Sequence, residues 1–109
     1  MIRFKYDYLR EEFHKLDQRI KDVVNVIDAL MVGMHGIRAV ITSVYRDIER
    51  SPHKYYRAVD ISTLGLTHEE CVFLGNIVSM IFPYKKNGFN TMIYHNVGQG
   101  WHFHVQVKA

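Results

Sequence analysis

His102 and His104 stand at i and i+2 in the closing segment Trp101-His102-Phe103-His104-Val105-Gln106-Val107. On a strand, side chains alternate, so both imidazoles share one face with Cα atoms about 6.5–7 Å apart. Trp101, Phe103, Val105 and Val107 then face the other way. Two imidazoles at that spacing can converge on one metal ion, or one can bind while the other moves protons beside it. Asp60 and His53 are further candidates. Asp60 lies in Ala58-Val59-Asp60-Ile61-Ser62, where a carboxylate between two apolar residues is expensive to bury unless it is paired or metal-bound. His53 precedes it in a polar loop. Catalytic zinc takes three ligands from His, Asp or Glu and leaves one position open. The plain alternatives are a solvated polar face for the histidines and a structural hydrogen-bond acceptor for Asp60.

The elements that position these residues follow from hydrophobic period. Phe13, Leu16, Ile20, Val23, Val24, Ile27, Leu30, Met31 and Met34 recur at spacings of three and four. They predict one long amphipathic helix over 7–32, with Gly33 and Gly36 as stop signals. Residues 37–45 are β-branched and predict a strand, and a short second strand is expected around 57–62 after a charged loop. Thr67 and Glu70 have capping-box spacing and open a second helix, continued by Phe73, Leu74, Ile77, Val78 and Ile81 and ended by Pro83. The glycines of Val97-Gly98-Gln99-Gly100 suit a hairpin turn before the His-x-His strand. The expected fold is α+β: a small antiparallel sheet with two helices on its apolar face and the metal site on the other.

Composition narrows the setting. The chain has 109 residues, 48% hydrophobic and 23% charged, which predicts one ordered domain over 1–109. No apolar run reaches the roughly 18–20 residues of a membrane span, and the start shows no signal peptide, so synthesis in the cytoplasm and no membrane partner are expected. Cys71 is the sole cysteine, which excludes an internal disulfide and a four-cysteine zinc site; it reads as structural. The net charge of +3 mildly favours anionic polymers. His14, His35 and His68 fall on helix faces and termini and need no chemical role.

Ser43-Val44-Tyr45-Arg46, followed by Ser51, His53, Ala58, Asp60 and Ile61, resembles the first signature of the zinc D-Ala-D-Ala carboxypeptidases and L-alanyl-D-glutamate endopeptidases, a family that includes many phage endolysins. That signature reads Ser-Gly-Tyr-Arg, then Ser-x-His-x-x-Gly-x-Ala-x-Asp-Ile. The ending WHFHVQV resembles the second signature. The likeness covers roughly 37–62 and 93–107, and the wider superfamily includes lysostaphin-type endopeptidases and the hedgehog signalling domain. It implies a hedgehog/D-Ala-D-Ala peptidase-like fold, a zinc cofactor, and the peptidoglycan stem peptide as substrate. It implies His53 and Asp60 as ligands. His104 is the implied third ligand because Val105-Gln106-Val107 follow it; His102, after Trp101, is the alternative. Arg46 matches an arginine that holds a substrate carbonyl or carboxylate. Ser51, Tyr45 and His95 complete the implied substrate side. A lysis enzyme of this kind acts on the cell wall after release.

The chain departs from the family pattern twice. Tyr56 occupies the usual glycine position, so the loop there is not expected to use a glycine-favoured conformation. Gln99 stands where the carboxypeptidases carry their catalytic Glu, and an amide cannot accept a proton from water. His102 is then the substitute base, with His95 a second candidate. The Gln99 departure also supports a rival reading, a zinc-binding module of the same fold without catalysis. Arg46, Arg50, Lys54, Arg57, Lys85 and Lys86, interleaved with Tyr45, Tyr55, Tyr56 and Tyr84, allow a small nucleic-acid binder. Interspersed acidic residues and the lack of a recognised motif argue against it, so no nucleic-acid partner is expected.

Overall fold

A computed structural model describes residues 2–45, 56–84, 90–96, 98 and 100–108. The chain runs β1 (Arg3–Phe4), α1 (Tyr8–His14), α2 (Gln18–His35), β2 (Val40–Ser43), β3 (Ala58–Ser62), α3 (His68–Ile81), β4 (Met92–Asn96) and β5 (Trp101–Gln106). The fold is α+β, and the described residues form a five-stranded sheet in the order β1-β2-β3-β5-β4. β2, β3, β5 and β4 pair antiparallel, whereas β1 joins β2 in parallel. The sheet is therefore mixed where an antiparallel one is expected from sequence. A strand of two residues is too short to show any period.

Among the described residues three helices are present where two are expected, because the long amphipathic stretch breaks at residues 15–17. Asp17 leaves the helical region, and its carboxylate accepts from Arg19 N at 3.0 Å, so it caps α2 instead of continuing α1. The Arg19 side chain also bonds both carboxylate oxygens, at 3.0 and 2.7 Å, and this pair holds the Asp17 carboxyl below its usual range. Leu16 turns into the core, and Asp17 N donates to Tyr56 O at 3.0 Å. The apolar period survives the break because both helices face one core. α2 runs on through Gly33 and ends at His35, where Gly36 takes the left-handed conformation with φ 68°. His35 Nδ1 then meets Glu70 Oε2 at 2.8 Å, tying the end of α2 to the start of α3. The Thr67–Glu70 capping box forms as expected, with bonds of 2.8 and 3.1 Å.

The core is built from Leu9, Ile20, Val24, Ile27 and Met31 of the first two helices, Leu74 and Val78 of α3, and Ile41, Val59, Ile61, Phe103 and Val105 of the sheet. Phe103 and Val105 are fully buried, as the alternation in β5 requires. Burying one such side chain stabilises the fold by about 1.5–3 kcal/mol, which fixes the register of β5 and sends His102, His104 and Gln106 to the opposite face. α3 departs from its expected stripe: Leu74 and Val78 are buried, but Phe73 and Ile81 are exposed. Among the described residues no helix is long and apolar enough to cross a membrane.

Candidate metal centre

The two central strands bring the chemistry together. β3 and β5 pair Asp60 with His104 and Ser62 with His102, and β4 and β5 pair His95 with His102. Directly paired antiparallel residues share a face with Cα atoms about 4.5–5.5 Å apart. Asp60, His95, His102 and His104 therefore lie side by side on the face away from the apolar core. Beside them, the β2–β3 register slips between Ile41 and Ser43, which sets Ser43 opposite Asp60. The turn between β4 and β5 is held by Asn96, whose Oδ1 accepts from Gly98 N at 2.9 Å and Gly100 N at 3.2 Å.

Each ring of the His-x-His pair meets an acceptor on one nitrogen. His102 Nδ1 lies 3.1 Å from Gly100 O, which can only accept, so Nδ1 donates. With that proton placed, Nε2 keeps a lone pair whenever the ring is uncharged; it lies 3.8 Å from Asp60 Oδ1 and 3.2 Å from His95 Nε2. Gln106 plays the same part for His104. Its amide donates to Asn90 O at 3.0 Å, so Oε1 faces His104 Nε2 at 3.1 Å and accepts from it. His104 Nδ1 is left 3.2 Å from Asp60 Oδ1. A ring lone pair and a carboxylate lone pair repel at that distance, so the contact needs a proton or a cation between them. The Asp60 and His104 side chains are 3% and 13% exposed. Charge in so dry a place must be paired or coordinated.

His95 completes the cluster from the neighbouring strand. Burial first, then the charges of His102 and His104, push its imidazole below the ordinary histidine range. It thus favours the neutral form, which gives one N–H to the Nε2 lone pair of His102.

Of the residues expected at the site, Asp60, His95, His102 and His104 come together. Tyr45 is described but engaged elsewhere: its ring stacks on Tyr56 at 5.1 Å, and its N–H donates to Glu12 Oε1 at 3.3 Å. Arg46, Ser51, His53 and Gln99 lie outside the described residues. Tyr56 corrects an expectation, because it does adopt the glycine-favoured region with φ 55°. Tyr45 stacking and the Asp17 N–H bonded to Tyr56 O hold it there, against a steric cost of about 1–2 kcal/mol. Sequence reasoning missed Gln106, although it lies on the histidine face by the same alternation. Cys71 is buried, and burial pushes its thiol up, in keeping with a structural residue.

Among the described residues, no group of three or more His, Cys, Asp or Glu side chains is arranged to hold a metal ion. The described donors do suit zinc in kind: a buried carboxylate and an imidazole nitrogen face one another, and the far nitrogen of that ring is bonded to an acceptor, the usual outer partner of a ligating histidine. No protein-family model matches the chain, and no curated protein does.

Proposed function

We propose that the chain is a zinc-dependent peptidase acting on peptidoglycan stem peptides. One observation carries the reading: Asp60 and His104, two of the three ligands implied by the sequence signatures, meet at 3.2 Å across β3 and β5. His53 of the first signature supplies the third ligand. When bound, zinc supplies Lewis acidity to a peptide carbonyl and to a water molecule. The chain's own residues do the rest. Gln106 holds the His104 ring so that Nδ1 faces the carboxylate. His102, held through Nδ1 by Gly100 O, is the proton acceptor that Gln99 cannot be, its Nε2 lone pair passing from the His95 N–H to the water molecule. His95 steadies His102 from the next strand. Arg46 pairs with a substrate carbonyl or carboxylate.

The test is release of new amino groups from purified peptidoglycan. Wild type releases them, and both a chelator and His102→Ala suppress release, the latter by about 10²–10⁴-fold as expected for loss of a general base. A chain that holds zinc but releases nothing favours the non-catalytic module of the same fold.

A further inference from the structure

A cleft of about 770 Å³ opens beside the cluster, lined by Arg3, Lys5, Arg38, Ser62, Leu64 and Trp101 among others. Ser62 is the direct cross-strand partner of His102, so the cleft and the histidine cluster adjoin. No acidic side chain lines the cleft among the described residues. Arg38 is anchored by Asp28 at 2.8 Å, which offsets its charge. Arg3 and Lys5 form no ion pair among the described residues, and both are exposed. Their backbones are fixed by Arg3 N to Ala39 O and Lys5 N to Ile41 O, both 2.9 Å. Arg3 lies on β1 and Lys5 just past its end, where the Lys5 ammonium sits 5.4 Å from the centre of the Tyr6 ring. Leu64, 86% exposed, and Trp101, 49% exposed, add apolar surface. The Trp101 ring is held by stacking on Tyr94 at 4.7 Å and by His68 edge-on at 4.9 Å.

We propose that this cleft binds the carboxylate-bearing portion of an extended peptide whose reacting bond lies at the histidine cluster. The proposal rests on the peptidase reading and adds where the rest of the substrate lies. From β5 across β3 and β2 to β1 is three strand spacings, about 14 Å. An extended peptide covers that distance in about four residues. The carboxylates of such a peptide can pair with the exposed cations Arg3 and Lys5. Nucleic acid is a poorer fit, because its affinity comes from neutralising many phosphates and, among the described residues lining the cleft, only two cations lack an acidic partner.

Trp101 is the sole tryptophan of the chain, so its fluorescence reports on the cleft. The full chain, kept metal-free with a chelator, is titrated with L-Ala-γ-D-Glu-L-Lys-D-Ala-D-Ala and with the same peptide amidated at both carboxyl groups. Wild type binds the acidic peptide, and either amidation or the double variant Arg3→Gln, Lys5→Gln weakens binding about tenfold or more, the loss of one charge-assisted contact. Both residues are exposed, and unchanged circular dichroism confirms that the variant folds. Equal binding of the two peptides, equal binding by the variant, or no binding overturns the proposal. So does salt-sensitive binding of a short oligonucleotide without peptide binding. Charge-dependent binding without amino-group release upholds the cleft and removes the peptidase reading; release without charge discrimination does the reverse.

Discussion

Asp60 sets the terms for every ring around it. Its carboxylate is nearly dry, and two imidazole nitrogens face the same oxygen at 3.2 and 3.8 Å. Gln106 matters because it decides which nitrogen of His104 does so. Replacing it with Leu removes the acceptor at Nε2 and frees the ring to change tautomer. Zinc affinity, measured by competition with a chromophoric chelator, is expected to fall about 10- to 100-fold in Gln106→Leu, the usual cost of losing an outer partner. Unchanged affinity means that the ring is held by something else. The alternation that puts His102, His104 and Gln106 on one face is legible in sequence, because a slip of one residue would expose Phe103 and Val105. The meeting of Asp60 with His104 is not legible from periodicity, since cross-strand register depends on contacts 44 residues apart in the chain. Tyr56 resisted reading for a related reason: its left-handed backbone is held by Tyr45 and Asp17, and local preference alone argues against it.

Among the elements, the strands β3 and β5 and the capped helix α3 were legible because period and capping chemistry are local. The break before α2 was signalled by Asp17, a good capping residue, but the unbroken apolar spacing masked it. Gly33 gives a test of the resulting helix. It lies inside α2, and a Cβ built there meets nothing within 4 Å. Gly33→Ala is therefore expected to stabilise the fold by about 0.5–1 kcal/mol, read as a higher midpoint in chemical denaturation with an unchanged slope. A destabilised variant contradicts a helix that continues to His35. β1 could not be read because two residues carry no pattern; it forms because Phe4 packs on the core while Arg3 and Lys5 line the opposite side of the sheet edge.

At the scale of the whole molecule, one sheet separates two environments. Among the described residues, three helices cover one face and make the core; the other carries the imidazole and carboxylate cluster, and the cationic cleft opens at the β1 side of the sheet. That division lets a chain of 109 residues both fold and present a site. In the proposed function Asp60 and His104 hold a metal while His102 works beside it. Elemental analysis of purified wild type, His104→Ala and His102→Ala tests it most directly. Wild type and His102→Ala are predicted to hold about one zinc per chain, and His104→Ala to hold almost none. Full zinc retention in His104→Ala contradicts the account.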